Sequence, residues 1–347
     1  MTEPRLLALA TAVPPHVLHQ SEVRARARHL FAGTDEDIER LLPVFENAGI
    51  ATRYSCVPID WYDTPSGWQE RNRVYLENAV LLLEGVTRAC LAQADLPPEA
   101  IDAIVVVSTT GIATPSLDAL LMERLGLRRD VQRLPIFGLG CAGGVLGLAR
   151  AAALARTAPD SRVLFLVVEL CALCFRKNDF SKSNIVATAL FGDGAAGAIV
   201  SGTGSGPRLG AAGEHTWPQS LDIMGWQVEE DGLKALFSRD IPALVRGRLG
   251  DVAEAFLARN GLALDDIDAF VCHPGGAKVL TALEKAYGLA EGTLVEGRRV
   301  LRDFGNMSAA TVFFVLERML RHGVRRRMLL SALGPGFTAG FLVLDDR

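Results

Sequence analysis

Three side chains in this sequence have the type and the setting for covalent acyl chemistry. Cys141 stands in Gly-Leu-Gly-Cys-Ala-Gly-Gly (138–144), between an apolar run and a long Ala/Leu-rich stretch, so it falls where a strand ends and a helix begins. A helix N-terminus offers unpaired N–H groups and a partial positive charge. Both favour a thiolate, the nucleophilic form of cysteine. Ala142, Gly143 and Gly144 let a ligand approach the backbone closely. A cysteine is ordinarily just a small core residue, and the strand-turn-helix setting is what separates Cys141 from the other five. His273 follows the strand-like Asp-Ala-Phe-Val-Cys and precedes Pro274-Gly275-Gly276, which puts an imidazole in a loop at the end of a buried strand. His16, His19, His29, His215 and His322 have no such setting. Asn306, in Phe-Gly-Asn-Met-Ser (304–308), taken alone reads as a helix cap.

An internal duplication gives Asn306 a second meaning. Ile-Asp-Ala-Ile-Val-Val-Val-Ser begins at Ile101 and Ile-Asp-Ala-Phe-Val-Cys-His at Ile267, 166 residues later. The same offset carries the turn at Cys141 onto the turn at Met307, beside Asn306. Each copy then runs on to an apolar strand, 163–169 in one and 328–334 in the other. A further echo, Pro-Arg-Leu near both Pro4 and Pro207, has a different spacing because loop lengths differ. Unbroken runs such as Val-Val-Val-Ser and Leu-Phe-Leu-Val-Val mark strands buried on both faces. The stretch after Cys141 is apolar all round except Arg150 and Arg156, which marks a helix inside the protein. The expected architecture is α/β, a five-layer αβαβα sandwich of two duplicated halves, 1–205 and 206–347, with the seam in the turn-rich stretch 201–207. A pseudo-twofold between the halves brings the two turns together at the centre, so the repeat predicts a Cys-His-Asn cluster.

Composition narrows the function. The chain has 347 residues, 49% hydrophobic and 22% charged, enough for a large core and against disorder. Its formal charge of −4 argues against a nucleic-acid binder. Six cysteines are too few for a disulfide scaffold and read as reduced thiols of a cytoplasmic protein. The Cys171-x-x-Cys174 pair has no second pair or nearby histidine, so no metal is expected. No secretory signal or membrane span is expected either. Gly138, Gly140 and Gly143 also match Gly-x-Gly-x-x-Gly, with Glu169 ending the next strand. The mid-chain position, the buried helix, the cysteine in the turn and the duplicate without glycines all argue against a dinucleotide site.

Over nearly its whole length the sequence resembles type III polyketide synthases, the chalcone synthase-like branch of the thiolase superfamily. The resemblance rests on Gly-Cys-Ala-Gly-Gly around Cys141, the stretch 189–200, the stretch 222–242, His-Pro-Gly-Gly at His273, Phe-Gly-Asn-Met-Ser-Ala-Ala-Thr around Asn306, and Leu-Gly-Pro-Gly-Phe at 333–337. It implies a thiolase fold and an acyltransferase in which Cys141 takes acyl from acyl-CoA, while His273 and Asn306 bind the malonyl-CoA carbonyl and promote decarboxylation. The same imidazole would ion-pair with the Cys141 thiolate and lower the thiol below its free value of ~8.5. Phe191 would gate the passage between CoA tunnel and cavity, and Gly334-Pro335-Gly336 would shape the cyclisation pocket. Cys174 stands where plant enzymes have a cavity-lining Thr, and Thr114 where they have a Met that crosses the dimer interface. Arg53 falls near the basic region that meets CoA phosphates, and Trp226 is a bulky candidate for the cavity. No metal, cofactor or protein-bound phosphopantetheine is implied; the partners are acyl-CoA, malonyl-CoA and a second copy of the chain. These departures resemble the bacterial branch, with fatty acyl starters giving pyrones or resorcinols. The alternative is the ketoacyl synthase of fatty-acid initiation, which uses an acyl-carrier protein and whose histidine is followed by Gln-Ala-Asn instead of Pro-Gly-Gly.

Overall fold

The computed structural model describes residues 3–30, 38–64, 66–238, 240–322 and 326–346. Arg239, part of the 222–242 stretch, lies outside the described residues. In chain order the strands are β1 (Arg5–Ala12), β2 (His16–His19), β3 (Thr52–Ser55), β4 (Ala103–Val107), β5 (Gln132–Ile136), β6 (Arg162–Leu170), β7 (Asp193–Ser201), β8 (Arg208–Thr216), β9 (Met224–Glu229), β10 (Gly232–Phe237), β11 (Ala269–Cys272), β12 (Arg327–Gly334) and β13 (Thr338–Asp345). The helices are α1 (Gln20–Leu30), α2 (Pro43–Asn47), α3 (Trp68–Ala94), α4 (Leu117–Leu125), α5 (Gly143–Thr157), α6 (Lys182–Leu190), α7 (Ile241–Arg259), α8 (Ala277–Ala286), α9 (Val295–Phe304) and α10 (Thr311–Arg321).

Nine strands form one sheet in the order β11-β12-β13-β8-β1-β7-β6-β4-β5. The duplication is visible in it. β4, β6, β7 and β1 pair parallel, antiparallel and antiparallel in turn, and β11, β12, β13 and β8 repeat that pattern. The two sets join through a single register pair, Arg5 with Arg208. One pair of residues cannot hold two lobes rigid; their shared core does. α5 and α10 lie between the sets, and Val145, Leu148, Phe313 and Leu316 are packed into one cluster with residues of both. A second cluster lies under α3 and α4 and a third under α7 and α8, which completes the αβαβα layering.

The sequence explains the central helix. α5 is built of Ala, Gly, Leu and Val, residues small enough to be enclosed on all sides. Its two charges reach β8: Arg150 pairs with Glu214 at 2.9 Å, and Arg156 donates to the Leu209 carbonyl at 2.8 Å. The duplication fails in one place. An offset of 166 carries β5 onto 298–302, which is the interior of α9, so the second set has four strands where the first has five. Val300 and Leu301 face the core while Arg299 and Arg302 face out, an arrangement with helical and not alternating period. β5 itself carries Pro135, as an edge strand tolerates.

Candidate active site

Cys141 lies in a short 3₁₀ turn, Gly140–Ala142, that leads straight into α5. The matching turn of the other half, Ser308–Ala310, leads into α10. The two turns pack against each other. A Cβ on Gly144 would collide with the Ala309 carbonyl oxygen and the Phe313 ring, so the glycine is what allows the helices this close. Cys141, His273 and Asn306 line one chamber of about 500 Å³, and each is at least nine-tenths buried. The repeat therefore brings together the three residues it singled out.

Each member is held differently. His273 is fixed by its backbone, N–H to the Ser331 carbonyl at 2.8 Å, while neither ring nitrogen has a protein partner. A buried imidazole with both nitrogens open is arranged for something that enters the chamber. Asn306 Oδ1 accepts the Ser308 N–H at 2.8 Å, which fixes the amide orientation, and Nδ2 donates to the Gly275 carbonyl at 3.2 Å. The second Nδ2 hydrogen remains for a ligand. Ser308 takes a left-handed φ of 46°, held by Thr311, whose hydroxyl accepts the Met307 N–H at 2.9 Å and donates to the Ser308 carbonyl at 2.9 Å. That conformation places the Ser308 hydroxyl within hydrogen-bonding reach of both Cys141 and Glu169.

The electrostatics correct one expectation. The thiol is not lowered by its surroundings: burial pushes Cys141 up to about 12, with the Ser308 hydrogen bond working against the rise and the Glu169 charge adding to it. Burial alone pushes His273 down to about 4. Each group taken singly is neutral at this burial. A thiolate on Cys141 is favourable at such burial only with a compensating positive charge beside it.

The other expected residues divide. Phe191 is 6% exposed and is tied to Asn306 through the backbone: Asn306 N–H donates to the Leu190 carbonyl at 2.8 Å and Gly192 N–H to the Asn306 carbonyl at 3.0 Å. Its ring packs against Phe237 and Trp226, with centroids 5.6 and 5.7 Å away. Trp226 is thus part of an aromatic wall, and it is not among the chamber's lining residues. Gly334, Pro335 and Gly336 sit over the cysteine turn; a Cβ on Gly140 would lie 2.6 Å from Pro335 Cδ. Cys174 is buried beside Arg71 without lining the chamber. Thr114 is exposed, outside its own protomer's chamber. Arg53 needs correction. It is 2% exposed, and its guanidinium donates to the carbonyls of Thr188 and Phe191 and to Gln20, so it props the Phe191 segment and meets no solvent-borne phosphate. Glu169 is no ribose ligand either: it is fully buried, accepts the Thr109 N–H at 3.0 Å and is pushed up to about 7 by burial.

Sequence reasoning missed the cations of the chamber. Arg40, Lys182 and Lys278 line it, from the chain before α2 and from the first turns of α6 and α8, and none of the described lining residues is acidic. Lys278 had a signal, two residues beyond the His-Pro-Gly-Gly loop; Arg40 and Lys182 had none. Among the described residues no three His, Cys, Asp or Glu side chains gather as a metal site, and no helix is long and apolar enough to cross a membrane.

A duplicated αβαβα sandwich with a cysteine at one central turn and His and Asn supplied by the other half defines a thiolase-like condensing enzyme. The family comparisons make this specific. The model for chalcone and stilbene synthases, N-terminal domain, matches residues 2–207, and that for the C-terminal domain matches 208–345. A putative chalcone synthase of Bacillus subtilis is 38% identical over 98% of this chain and 98% of its own. The 1,3,6,8-tetrahydroxynaphthalene synthase of Streptomyces peucetius is 38% identical over 97% of this chain and 92% of its own. The crystal structure of the Streptomyces coelicolor 1,3,6,8-tetrahydroxynaphthalene synthase, a bacterial type III polyketide synthase, superposes with a TM-score of 0.94 at 29% identity, covering 99% of both chains. The chain belongs to the chalcone and stilbene synthase family, as a bacterial type III polyketide synthase and an acyltransferase of decarboxylative Claisen condensation.

If the imidazole takes the thiol proton, its removal leaves a sulfur that must ionise alone. Alkylation of Cys141 by iodoacetamide, followed by peptide mass mapping, is expected to be at least about tenfold slower near neutral pH in His273→Ala. Its rate is expected to keep rising into strongly alkaline solution, because burial holds the lone thiol at about 12. An unchanged rate and pH profile contradicts the assignment.

Proposed function

We propose that the chamber loads a fatty acyl-CoA starter on Cys141, extends it with malonyl-CoA and releases a pyrone or resorcinol. The observation that carries this is the meeting, in one chamber, of a buried nucleophile, two open imidazole nitrogens and a fixed amide donor, with walls of Leu41, Val44, Ile185, Leu190, Met224 and Leu283. Apolar walls favour a hydrocarbon chain. The three cations favour the phosphates of CoA.

The chemistry follows from the groups. The Cys141 sulfur, its proton passed to His273, attacks the acyl thioester carbonyl; the C–S bond to CoA breaks and the leaving sulfur takes the proton back. Malonyl-CoA then binds with its thioester oxygen toward Asn306 Nδ2 and His273. Its C–C bond to the carboxylate breaks, CO₂ leaves, and the electron pair moves onto that oxygen as an enolate. Donors already aimed at the oxygen lower this barrier most, and losing one slows the reaction by ~10²–10³. The enolate carbon attacks the acyl–Cys141 thioester, the C–S bond breaks, and the thiolate is restored with a chain two carbons longer on CoA. Water must stay out, since it would protonate the carbanion.

A second reading, a 1,3,6,8-tetrahydroxynaphthalene synthase, is favoured by the names of the Streptomyces relatives. We further propose a homodimer joined along β5. This edge strand is mostly exposed, and Phe137 after it and Leu81 on α3 are 62% and 59% exposed. A single-protomer mass by light scattering would contradict that.

Purified protein with labelled malonyl-CoA and a panel of acyl-CoAs is expected to release CO₂ and labelled lipophilic products with fatty acyl starters. Asn306→Ala should still become acylated on Cys141 while decarboxylation falls by ~10²–10³. Naphthol product from malonyl-CoA alone, with every fatty acyl-CoA inert, overturns the starter assignment. Carrier-bound malonate consumed in place of malonyl-CoA favours the ketoacyl synthase.

A further inference from the structure

β3 pairs with β2 in a separate two-stranded sheet, and it lies between segments of both halves that carry the site. On one side it is fastened to the end of α9. Ala51 N–H donates to the Arg302 carbonyl at 2.8 Å, Thr52 Oγ1 donates to the Asp303 carbonyl at 2.8 Å, and the Tyr54 ring stacks on Phe304 with centroids 5.6 Å apart. Asn306 follows two residues later. On the other side Cys56 N–H donates to Asp193 Oδ2 at 2.8 Å, and Arg53 reaches the end of α6 and the carbonyl of Phe191.

Arg53 does most of the joining. The last carbonyls of a helix have no partner within it, and α6 ends at Leu190. The Arg53 guanidinium donates to the Thr188 and Phe191 carbonyls and, at 2.6 Å, to Gln20 Oε1. Gln20 Nε2 in turn donates to the Ala189 carbonyl at 3.0 Å. Two side chains thus cap α6 and fix the chain as far as Phe191. Asn306 hangs on that same stretch, through its N–H to the Leu190 carbonyl and its carbonyl to Gly192 N–H. The Arg53 stem passes against both strands of this bridge: a Cβ on Gly192 would lie 3.1 Å from Arg53 Cβ, and one on Gly305 3.3 Å. Burying a cation is costly. Burial lowers this guanidinium to about 10, so it stays charged near neutral pH. What the fork supplies is several donors in one fixed plane, which an ammonium does not.

We propose that Arg53 is a positioning residue for decarboxylation: it caps α6, the end of α6 holds the backbone of Asn306, and the Asn306 amide meets the thioester oxygen of malonyl-CoA. The proposal rests on the role given to Asn306 above. Arg53 does not line the chamber, so it acts through Asn306 and touches no substrate there. Two consequences separate this from a general structural role. Acyl transfer to Cys141 uses a turn and an imidazole that Arg53 does not hold, so it is spared. Removing the Asn306 amide erases the effect of Arg53.

Arg53→Lys and Arg53→Met, each alone and combined with Asn306→Ala, are to be compared with the unaltered full chain. Loading from a short-chain acyl-CoA is read as the intact mass of the protein, and decarboxylation as CO₂ from carboxyl-labelled malonyl-CoA. Both single variants are expected to load within about twofold of the unaltered rate and to release CO₂ about a hundredfold more slowly, the loss that an ångström of misplacement brings. In the Asn306→Ala background neither is expected to slow CO₂ release further, because groups acting through one contact are not additive. Gln20→Leu removes one acceptor of the fork and leaves the fork in place. It is expected to show the same pattern at about tenfold, as for one or two hydrogen bonds, and it carries the test if the Arg53 variants do not fold. An equal fall in loading and CO₂ release, no fall in either, or a further fall in the Asn306→Ala background overturns the inference and leaves Asn306 its role. Asn306→Ala releasing CO₂ at the unaltered rate overturns both.

Discussion

Two buried turns from opposite halves of the chain touch with no room for one more carbon atom. Gly144, in the first turn of α5 just after the Cys141 turn, lies against the carbonyl of Ala309 in the matching turn, and Gly140 and Gly334 interlock through Pro335 and Ala142. The sheet does not enforce this, since the half-sheets share one register pair. The packing of α5 and α10 into one core enforces it. In the proposed reaction the acyl thioester on Cys141 and the malonyl thioester facing His273 and Asn306 have to come within bond-forming reach, and the duplicated fold allows that by giving each half one member of the contact. Close-packed interiors transmit sub-ångström changes, so the chemistry is coupled directly to the fit of the two lobes.

The same burial sets the proton chemistry. It pushes Cys141 and His273 toward their neutral forms, from opposite sides of neutrality. Charge on either of these two buried groups is thus favourable only with a compensating partner. The chamber's lining combines cations, the polar trio and apolar walls. In the proposed reaction the cations Arg40, Lys182 and Lys278 would meet the polar end of the substrate, the trio the reacting thioesters, and the apolar walls the hydrocarbon. A substrate with a charged head and a hydrocarbon tail has one orientation that satisfies all three.

Much of this was legible in the sequence, for a physical reason. The repeat turns three isolated polar residues into a cluster, because symmetry-related turns of a duplicated fold must meet at its axis. Cys141 and Asn306 were found that way, and the buried strands β4, β6, β11 and β12 by their unbroken apolar runs. Side-chain direction was not legible. Arg53 lies in a strand whose residues alternate between inward and outward, and the alternation sends it inward, under Phe191. Trp226 joins the wall because β9 and β10 form a hairpin that lays it on Phe191. The chamber's cations come from three separate elements, so no local pattern announces them. Nor did the duplication foretell that α9 would replace a strand, since that depends on the spacing of Val300 and Leu301 against the neighbouring arginines.

The shared chamber is tested most directly by bridging it. Treating the native protein with 1,3-dibromoacetone, a short reagent that alkylates a thiol and then a nearby nucleophile, and mapping the products by mass spectrometry reads the distance chemically. The account predicts a covalent link between the peptide bearing Cys141 and the peptide bearing His273, lost when the protein is unfolded before treatment. Cys141 modified alone, or joined to any residue outside the chamber, would contradict it.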